Sequence, residues 1–290
     1  MPFDVDWVDA FTDRPFGGNG CAVVHGGACL DDETCKNFVC ETSLVECTYT
    51  GPSDVADIRV RYFVASAEIP FAGHPTVATA VALRERGLIG DGPSTLETGA
   101  GVIPIEVQGN RVRMTQIAPD FGEYVPVELV AAVGSLNADQ IAHPPRIVST
   151  GLPFCITVLK SKDALKALRH DIEGHRAYAA HLGLGSIDLL EPFWVVPEGF
   201  DEAGDTAARL LMAPPNPSED PFTGSATGAM AAYLWAEGLL DQPSFVAQQG
   251  FGMGRPGQAE VEVLGPRDAI RGVSVTGSGY LLMSGTLHLD

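Results

Sequence analysis

The sequence predicts an α+β protein of two pseudo-symmetric lobes, each a sheet wrapped around one central buried helix. The first observation behind this is a repeat. Glu68-Ile69-Pro70-Phe71-Ala72-Gly73-His74-Pro75-Thr76 is echoed 151 residues on by Glu219-Asp220-Pro221-Phe222-Thr223-Gly224-Ser225-Ala226-Thr227. The second is that Gly99 and Gly101 recur as Gly250 and Gly252 at the same spacing. Two landmarks in one register mark a duplicated unit. The third is the composition after each glycine turn. Thr76 to Leu83 and Ser225 to Trp235 are small and apolar on every face, as in a fully buried helix.

The elements follow in chain order. Phe3 to Val8 alternates as a strand, Gly17-Gly18-Asn19-Gly20 is a turn, and Cys21 to Val24 is a second strand. Asp31-Asp32-Glu33 starts a helix with acids where the macrodipole favours them, and that helix runs to about Thr42. Val45 to Thr50 and Ile58 to Val64 read as strands. His74-Pro75 puts a proline at the expected first helical position, and Arg84-Glu85-Arg86-Gly87 ends that helix in solvent. Thr95 to Glu97, Ile103 to Val107 and Val112 to Thr115 complete the first half. The proline-bearing stretch from Pro119 to Pro145, with a short helical pattern, reads as the crossover. Glu237-Gly238 closes the second buried helix, followed by strands at Phe245 to Gln248, Ala259 to Val263 and Gly272 to Thr276. A last strand, Gly285 to Leu289, has no counterpart and is expected to complete the N-terminal sheet. The lobes are therefore expected at 1–118 with 278–290 and at 119–277, with the active site in the cleft between them.

Length and composition agree with this division, since 290 residues fit two domains of about 140. The net charge is −19, with 18 basic against 37 acidic residues. Such a surface disfavours nucleic acid and anionic membranes as partners. Met1 to Asp6 shows no secretory pattern and no run reaches the roughly 18 apolar residues of a membrane helix, so a cytoplasmic protein is expected. The six cysteines form no CxxC pair and match no zinc spacing, and are read as reduced thiols. His170, His175 and His181 do not share a face at i, i+4, so no metal site is expected there. Gly250-Phe251-Gly252-Met253-Gly254 is not a dinucleotide loop, and the Thr223 to Gly228 run is not a GxSxG elbow. A homodimer is the default assembly.

The chemistry centres on the two glycine turns. Gly73-His74 and Gly224-Ser225 each open a buried helix, where the first N–H groups lack helical partners and the dipole is positive. Two such ends suit the carboxylate of a small acid. The plainer reading makes His74 and Ser225 helix caps alone.

These segments, with Met253-Gly254-Arg255-Pro256, Asp9-Ala10-Phe11-Thr12, Gly18-Asn19 and Thr150-Gly151-Leu152-Pro153, resemble the PhzF-like (phenazine biosynthesis) isomerase family. That family lies in the diaminopimelate epimerase superfamily, and the resemblance spans nearly the whole chain. It implies the diaminopimelate epimerase-like fold. Epimerases of the superfamily carry a cysteine at each glycine turn; His74 and Ser225 stand there here, so a two-thiol racemase is not expected. PhzF-like enzymes use one glutamate in a Leu-Ser-Glu-Thr context, which Leu44-Val45-Glu46-Cys47 matches, pointing to Glu46 over its rival Glu41. The resemblance further implies catalytic roles for His74 and Asp220, and substrate binding by Asn19, Gly73, Gly224 and Ser225.

Val45 and Cys47 depart from the family's serine and threonine. They are expected to dry the surroundings of Glu46 and raise its pKa. One carboxyl that reaches two carbons can move a double bond beside a carboxylate, with neither cofactor nor metal. The expected function is thus a cofactor-independent isomerase acting on a small unsaturated or cyclic carboxylic acid, in phenazine-type or alkylproline-type antibiotic biosynthesis. An amino-acid epimerase, or a non-catalytic relative that binds small acids, are the alternatives.

Overall fold

The computed structural model describes residues 1–185 and 190–289, and divides into two units, Met1–Thr115 with Val275–Asp290, and Gln116–Ser274. The first unit runs β1 (Pro2–Ala10), β2 (Asn19–Val24), α1 (Asp32–Thr42), β3 (Glu46–Gly51), β4 (Ile58–Val64), β5 (Glu68–Ile69), α2 (Gly73–Glu85), β6 (Gly92–Thr98), β7 (Gly101–Gln108) and β8 (Arg111–Gln116). β2 pairs antiparallel to β1 and parallel to β3, and β4 lies antiparallel to β3. β4 also takes β5 antiparallel and β6 parallel, and β6, β7 and β8 form a meander.

Each face of this sheet is covered by a helix of a different kind. The Asp31 carboxylate caps α1 by accepting the Thr34 N–H at 2.8 Å. Its Cys35 and Val39, four residues apart, pack into a cluster with Phe3, Ala22, Val24, Cys47, Tyr49 and Phe63. On the other face α2 is buried from Gly73 to Leu83, against β1, β2 and β3. Small side chains let a helix sit this close to strands on several sides, which is why the run lacks an apolar stripe.

The second unit runs β9 (Asp120–Tyr124), α3 (Val127–Val133), β10 (Arg146–Ser149), β11 (Pro153–Val158), α4 (Lys162–Ala167), α5 (Ile172–Leu182), β12 (Pro192–Val196), β13 (Thr206–Leu211), β14 (Glu219–Asp220), α6 (Gly224–Ala236), β15 (Ser244–Gln249) and β16 (Gly257–Leu264). β17 (Gly272–His288) begins here and continues into the first unit. The pairing repeats that of the first unit: β10–β11 antiparallel, β11–β12 parallel, β12–β13 antiparallel, β13–β14 antiparallel, β13–β15 parallel and β15–β16 antiparallel. α6 is buried from Gly224 to Leu234. On the opposite face Val130, Val133, Leu165, Tyr178 and Trp194 share one core.

The repeat extends to single hydrogen bonds. α2 and α6 start and end 151 residues apart. The Thr76 hydroxyl donates to the Ala72 carbonyl at 2.6 Å, and its counterpart Thr227 donates to the Thr223 carbonyl at 2.9 Å. The second landmark packs on the first in both units. A Cβ on Gly99 would lie 2.9 Å from Pro70 Cα, and one on Gly250 would lie 2.6 Å from the Pro221 carbonyl oxygen.

Three sequence expectations are corrected. α2 starts at Gly73, so Pro75 is the third helical residue rather than the first. It is tolerated because the first four helical N–H groups lack partners in any case. The Pro119–Pro145 stretch is more than a crossover, since its β9 pairs with β10. Gly272–Thr276 and Gly285–Leu289 are one strand. β17 runs unbroken past its glycines because β1 pairs with it from Pro2↔His288 to Ala10↔Gly279. No helix among the described residues is long and apolar enough to cross a membrane.

Cys21, Cys35, Cys47 and Cys155 are buried and free, whereas Cys29 and Cys40 are exposed. Burial pushes the Cys47 and Cys155 thiols up to about 12. Brief treatment of the native protein with a maleimide is expected to add two labels by intact mass, and six after unfolding. More than two rapid additions to the native protein would contradict this core.

Candidate active site

Glu46, His74 and Asn19 meet in the first unit because each stands at the start of its element. Asn19 opens β2, Glu46 opens β3, and His74 is the second residue of α2. Asn19 Nδ2 lies 3.0 Å from His74 Nδ1, and Glu46 Oε2 lies 3.3 Å from the same nitrogen. Asn19 and His74 are each 2% exposed, and the Glu46 side chain 14%. An amide nitrogen only donates, so Nδ1 accepts from Asn19 and the neutral ring carries its proton on Nε2. The cluster thus offers a carboxyl beside a neutral imidazole, the arrangement a proton-transfer group needs.

Strand alternation corrects the expectation about Cys47. Glu46 lies on the face of Thr48 and Tyr62, and the Tyr62 hydroxyl bonds Thr76 of α2 at 2.8 Å. Cys47 points to the opposite face, into the core beneath α1, with its sulfur 3.6 Å from the Thr42 hydroxyl. The Thr-to-Cys departure therefore fills that core and does not dry the Glu46 carboxyl.

In the second unit Asp220 ends β14, and Gly224-Ser225 open α6. Asp220 is 3% exposed and its Oδ2 accepts the Thr223 hydroxyl at 2.6 Å. Gln249 ties the turn together. Its Nε2 donates to the Asp220 carbonyl at 2.7 Å, and its Oε1 accepts the Thr223 N–H at 3.0 Å. Gln116 donates to the Gly224 carbonyl at 2.9 Å and accepts the Thr150 hydroxyl at 2.5 Å. Gly228 leaves the room for this, since a Cβ there would lie 1.9 Å from Gln116 Oε1. Ser225 is 5% exposed, so both helix starts are lined by buried polar side chains.

Sequence reasoning missed Thr223, Gln249 and Gln116. Gln249 stands immediately before the Gly250 landmark, which is the signal that could have found it. Of the three histidines set aside above, His170 and His175 do meet, Nε2 to Nδ1 at 3.0 Å, as a hydrogen-bonded pair.

Two copies of one sheet-and-helix unit, each a sheet wrapped on a buried helix, make up the diaminopimelate epimerase-like fold. The chain belongs to the phenazine biosynthesis-like protein family, which it matches over residues 8–285. The uncharacterized isomerase YfhB of Bacillus subtilis is 30% identical over 264 residues, covering 88% of each chain. The trans-2,3-dihydro-3-hydroxyanthranilate isomerase of Pseudomonas aeruginosa is 30% identical over 292 residues, 97% of this chain and 98% of its own. The crystal structure of a PhzF-family phenazine biosynthesis protein from Bacillus anthracis superimposes over 100% of both chains, with a TM-score of 0.86 at 27% identity.

Proposed function

We propose that this isomerase shifts a double bond in a small unsaturated or cyclic carboxylic acid, with Glu46 moving the proton. The observation that carries this reading is the Glu46 carboxyl 3.3 Å from His74 Nδ1, on a nitrogen that Asn19 also holds. Glu46 takes a proton from the carbon next to the unsaturated system, and the electron pair spreads into a dienolate. N–H groups at the start of α2, at Gly73, stabilise that charge. His74 stands beside Glu46 and orients it. Asp220, fixed by Thr223, orients the substrate. This chemistry calls for neither a metal nor an organic cofactor.

The named activity of the Pseudomonas relative supports a dihydro-hydroxyanthranilate-like acid as one substrate class. A pyrroline carboxylate bearing an alkyl chain, on the way to an antibiotic's proline unit, is the other. Both are unsaturated cyclic acids with an acidic C–H, and both suit a cytoplasmic enzyme of secondary metabolism. The test is product analysis by NMR and chiral chromatography after incubation with both classes. A shifted double bond is expected. Inversion of an α-carbon with the double bond unmoved would make the protein an epimerase instead, and binding without turnover would make it a binding protein.

A further inference from the structure

The C-terminal stretch of β17 leaves one edge of the first unit's sheet open. β1 pairs with it from Pro2↔His288 to Trp7↔Met283, and a bulge at Leu282 follows before Val8↔Leu281. On the far side the Gly279 N–H donates to the Asn110 carbonyl at 2.8 Å, at the turn between β7 and β8. From Leu282 to His288 that side pairs with no strand among the described residues.

The register decides which backbone groups face outward. Met1 and Leu289 exchange main-chain hydrogen bonds, the Leu289 N–H donating at 3.2 Å and the Met1 amino group donating back. Pairs alternate along an antiparallel ladder, so Leu287, Gly285 and Met283 turn their N–H and C=O groups to β1. The Asp4 carbonyl agrees, since it accepts the His25 N–H just past β2, on the side away from β17. Ser284, Thr286 and His288 therefore present their backbone groups to the open edge. Side chains alternate across the same stretch. Met283 and Leu287 share a face with Val5 and Trp7, and with Phe38 of α1 they line an apolar groove of about 260 Å³. Met283 is 57% exposed there.

The edge lacks the charges and prolines that blunt natural sheet edges. Gly272 to Leu287 contains neither, in a chain with a net charge of −19. Self-association of so acidic a chain meets least repulsion at an uncharged surface. The nearest carboxylates, on Asp4 and Asp6 of β1, are held by Arg86. The pattern is also self-complementary. About a two-fold axis at Gly285, an antiparallel copy of the strand sets Ser284 against Thr286 of the second copy, and both have outward N–H and C=O groups. Met283 then meets Leu287 of the second copy, so an apolar pair extends the groove on each side of the axis.

We propose that this edge is the self-association surface of the protein, on which a second copy of the chain docks β17 against β17 as an isologous dimer. Ser284 and Thr286 supply the main-chain hydrogen bonds, and Met283 and Leu287 the apolar contact. A stable dimer buries about 800 Å² on each partner, more than a strand edge about 20 Å long offers alone, so the groove is part of the interface. The groove lies on the α1 face of the sheet and Glu46 on the α2 face, so the assembly is tested apart from the reaction.

The test is sedimentation velocity over a dilution series with wild type, Met283→Lys, Thr286→Pro and Val55→Lys, each first shown to be folded by thermal melting. Thr286→Pro removes an outward N–H, so the pairing with β1 is kept. Val55, 68% exposed before β4, is the control. Wild type and Val55→Lys are expected at twice the 30.6 kDa of one chain. Met283→Lys and Thr286→Pro should move the dimer midpoint to at least about 30-fold higher concentration. Hydrogen exchange of wild type needs no variant: the Ser284 and Thr286 amides should be protected in the dimer and exchange freely on dilution to monomer. A wild type that is monomeric throughout the series would overturn the proposal. So would a dimer that either folded edge variant leaves intact, or Ser284 and Thr286 amides that exchange freely within it.

Discussion

Replacing Glu46 by glutamine is expected to lower kcat by about 10²–10⁴-fold, the range typical of removing a positioned proton-transfer group. KM should change little, because glutamine keeps the shape of the side chain and the groups proposed to hold the substrate stand elsewhere. The effect is large because the Glu46 carboxyl is the group placed against His74 Nδ1, at 3.3 Å, in a cluster that is almost dry. Glutamine keeps the size and shape of the side chain, so the packing around Asn19 and His74 survives while the transferable proton does not. Steady-state kinetics with a Tm comparison checks this. A variant within about threefold of wild type would move the proton-transfer role away from Glu46.

The largest expected effect on stability comes from Gly250→Ala. Gly250 has φ of 82°, in the left-handed region, and a Cβ would lie 2.3 Å from the Arg255 carbonyl oxygen and 2.6 Å from that of Pro221. Left-handed strain costs about 1–2 kcal/mol, and overpacking against rigid backbone a further 1–3 kcal/mol or so. The sum, about 2–5 kcal/mol, corresponds to a Tm lower by roughly 5–15 °C. Asp220 immediately precedes Pro221, so activity should fall along with stability. Gly252→Ala, two residues on, meets no atom within 4 Å and is expected to stay within about 0.5 kcal/mol. Differential scanning calorimetry of the two variants side by side checks the pair. Equal Tm values would contradict the packing of this turn on Pro221.

Much of the fold was legible because the duplication left its landmarks in one register. The glycine turn, the buried helix and the later glycine pair recur without insertion, and the geometry keeps them together. α1 was readable from its Asp31 cap and acidic first turn, and β4 from its β-branched and aromatic residues with alternating arginines. The region 146–213 was less legible. β12 is buried at all five positions, so it shows no alternation from which a strand can be recognised. β17 looked like two strands because glycine and serine interrupt its pattern, and only the pairing with β1 carries it through.

The candidate site divides in the same way. Glu46, His74 and Asn19 were named from short motifs, and they converge because the starts of β2, β3 and α2 do. Gln116 and Gln249 were missed because their partners include the Gly224 and Asp220 carbonyls, main-chain atoms that no sequence motif spells out. Cys47 was misjudged because the sequence gives its distance from Glu46 along the chain but not the face of the strand it occupies.

The most direct test of proton-shuttling isomerisation is proton NMR of the wild-type protein in D2O with trans-2,3-dihydro-3-hydroxyanthranilate and the pyrroline carboxylate panel. The account predicts that one compound gains deuterium at the acceptor carbon as its double bond moves. A compound that binds in a parallel titration yet shows neither deuterium uptake nor a moved double bond would contradict it.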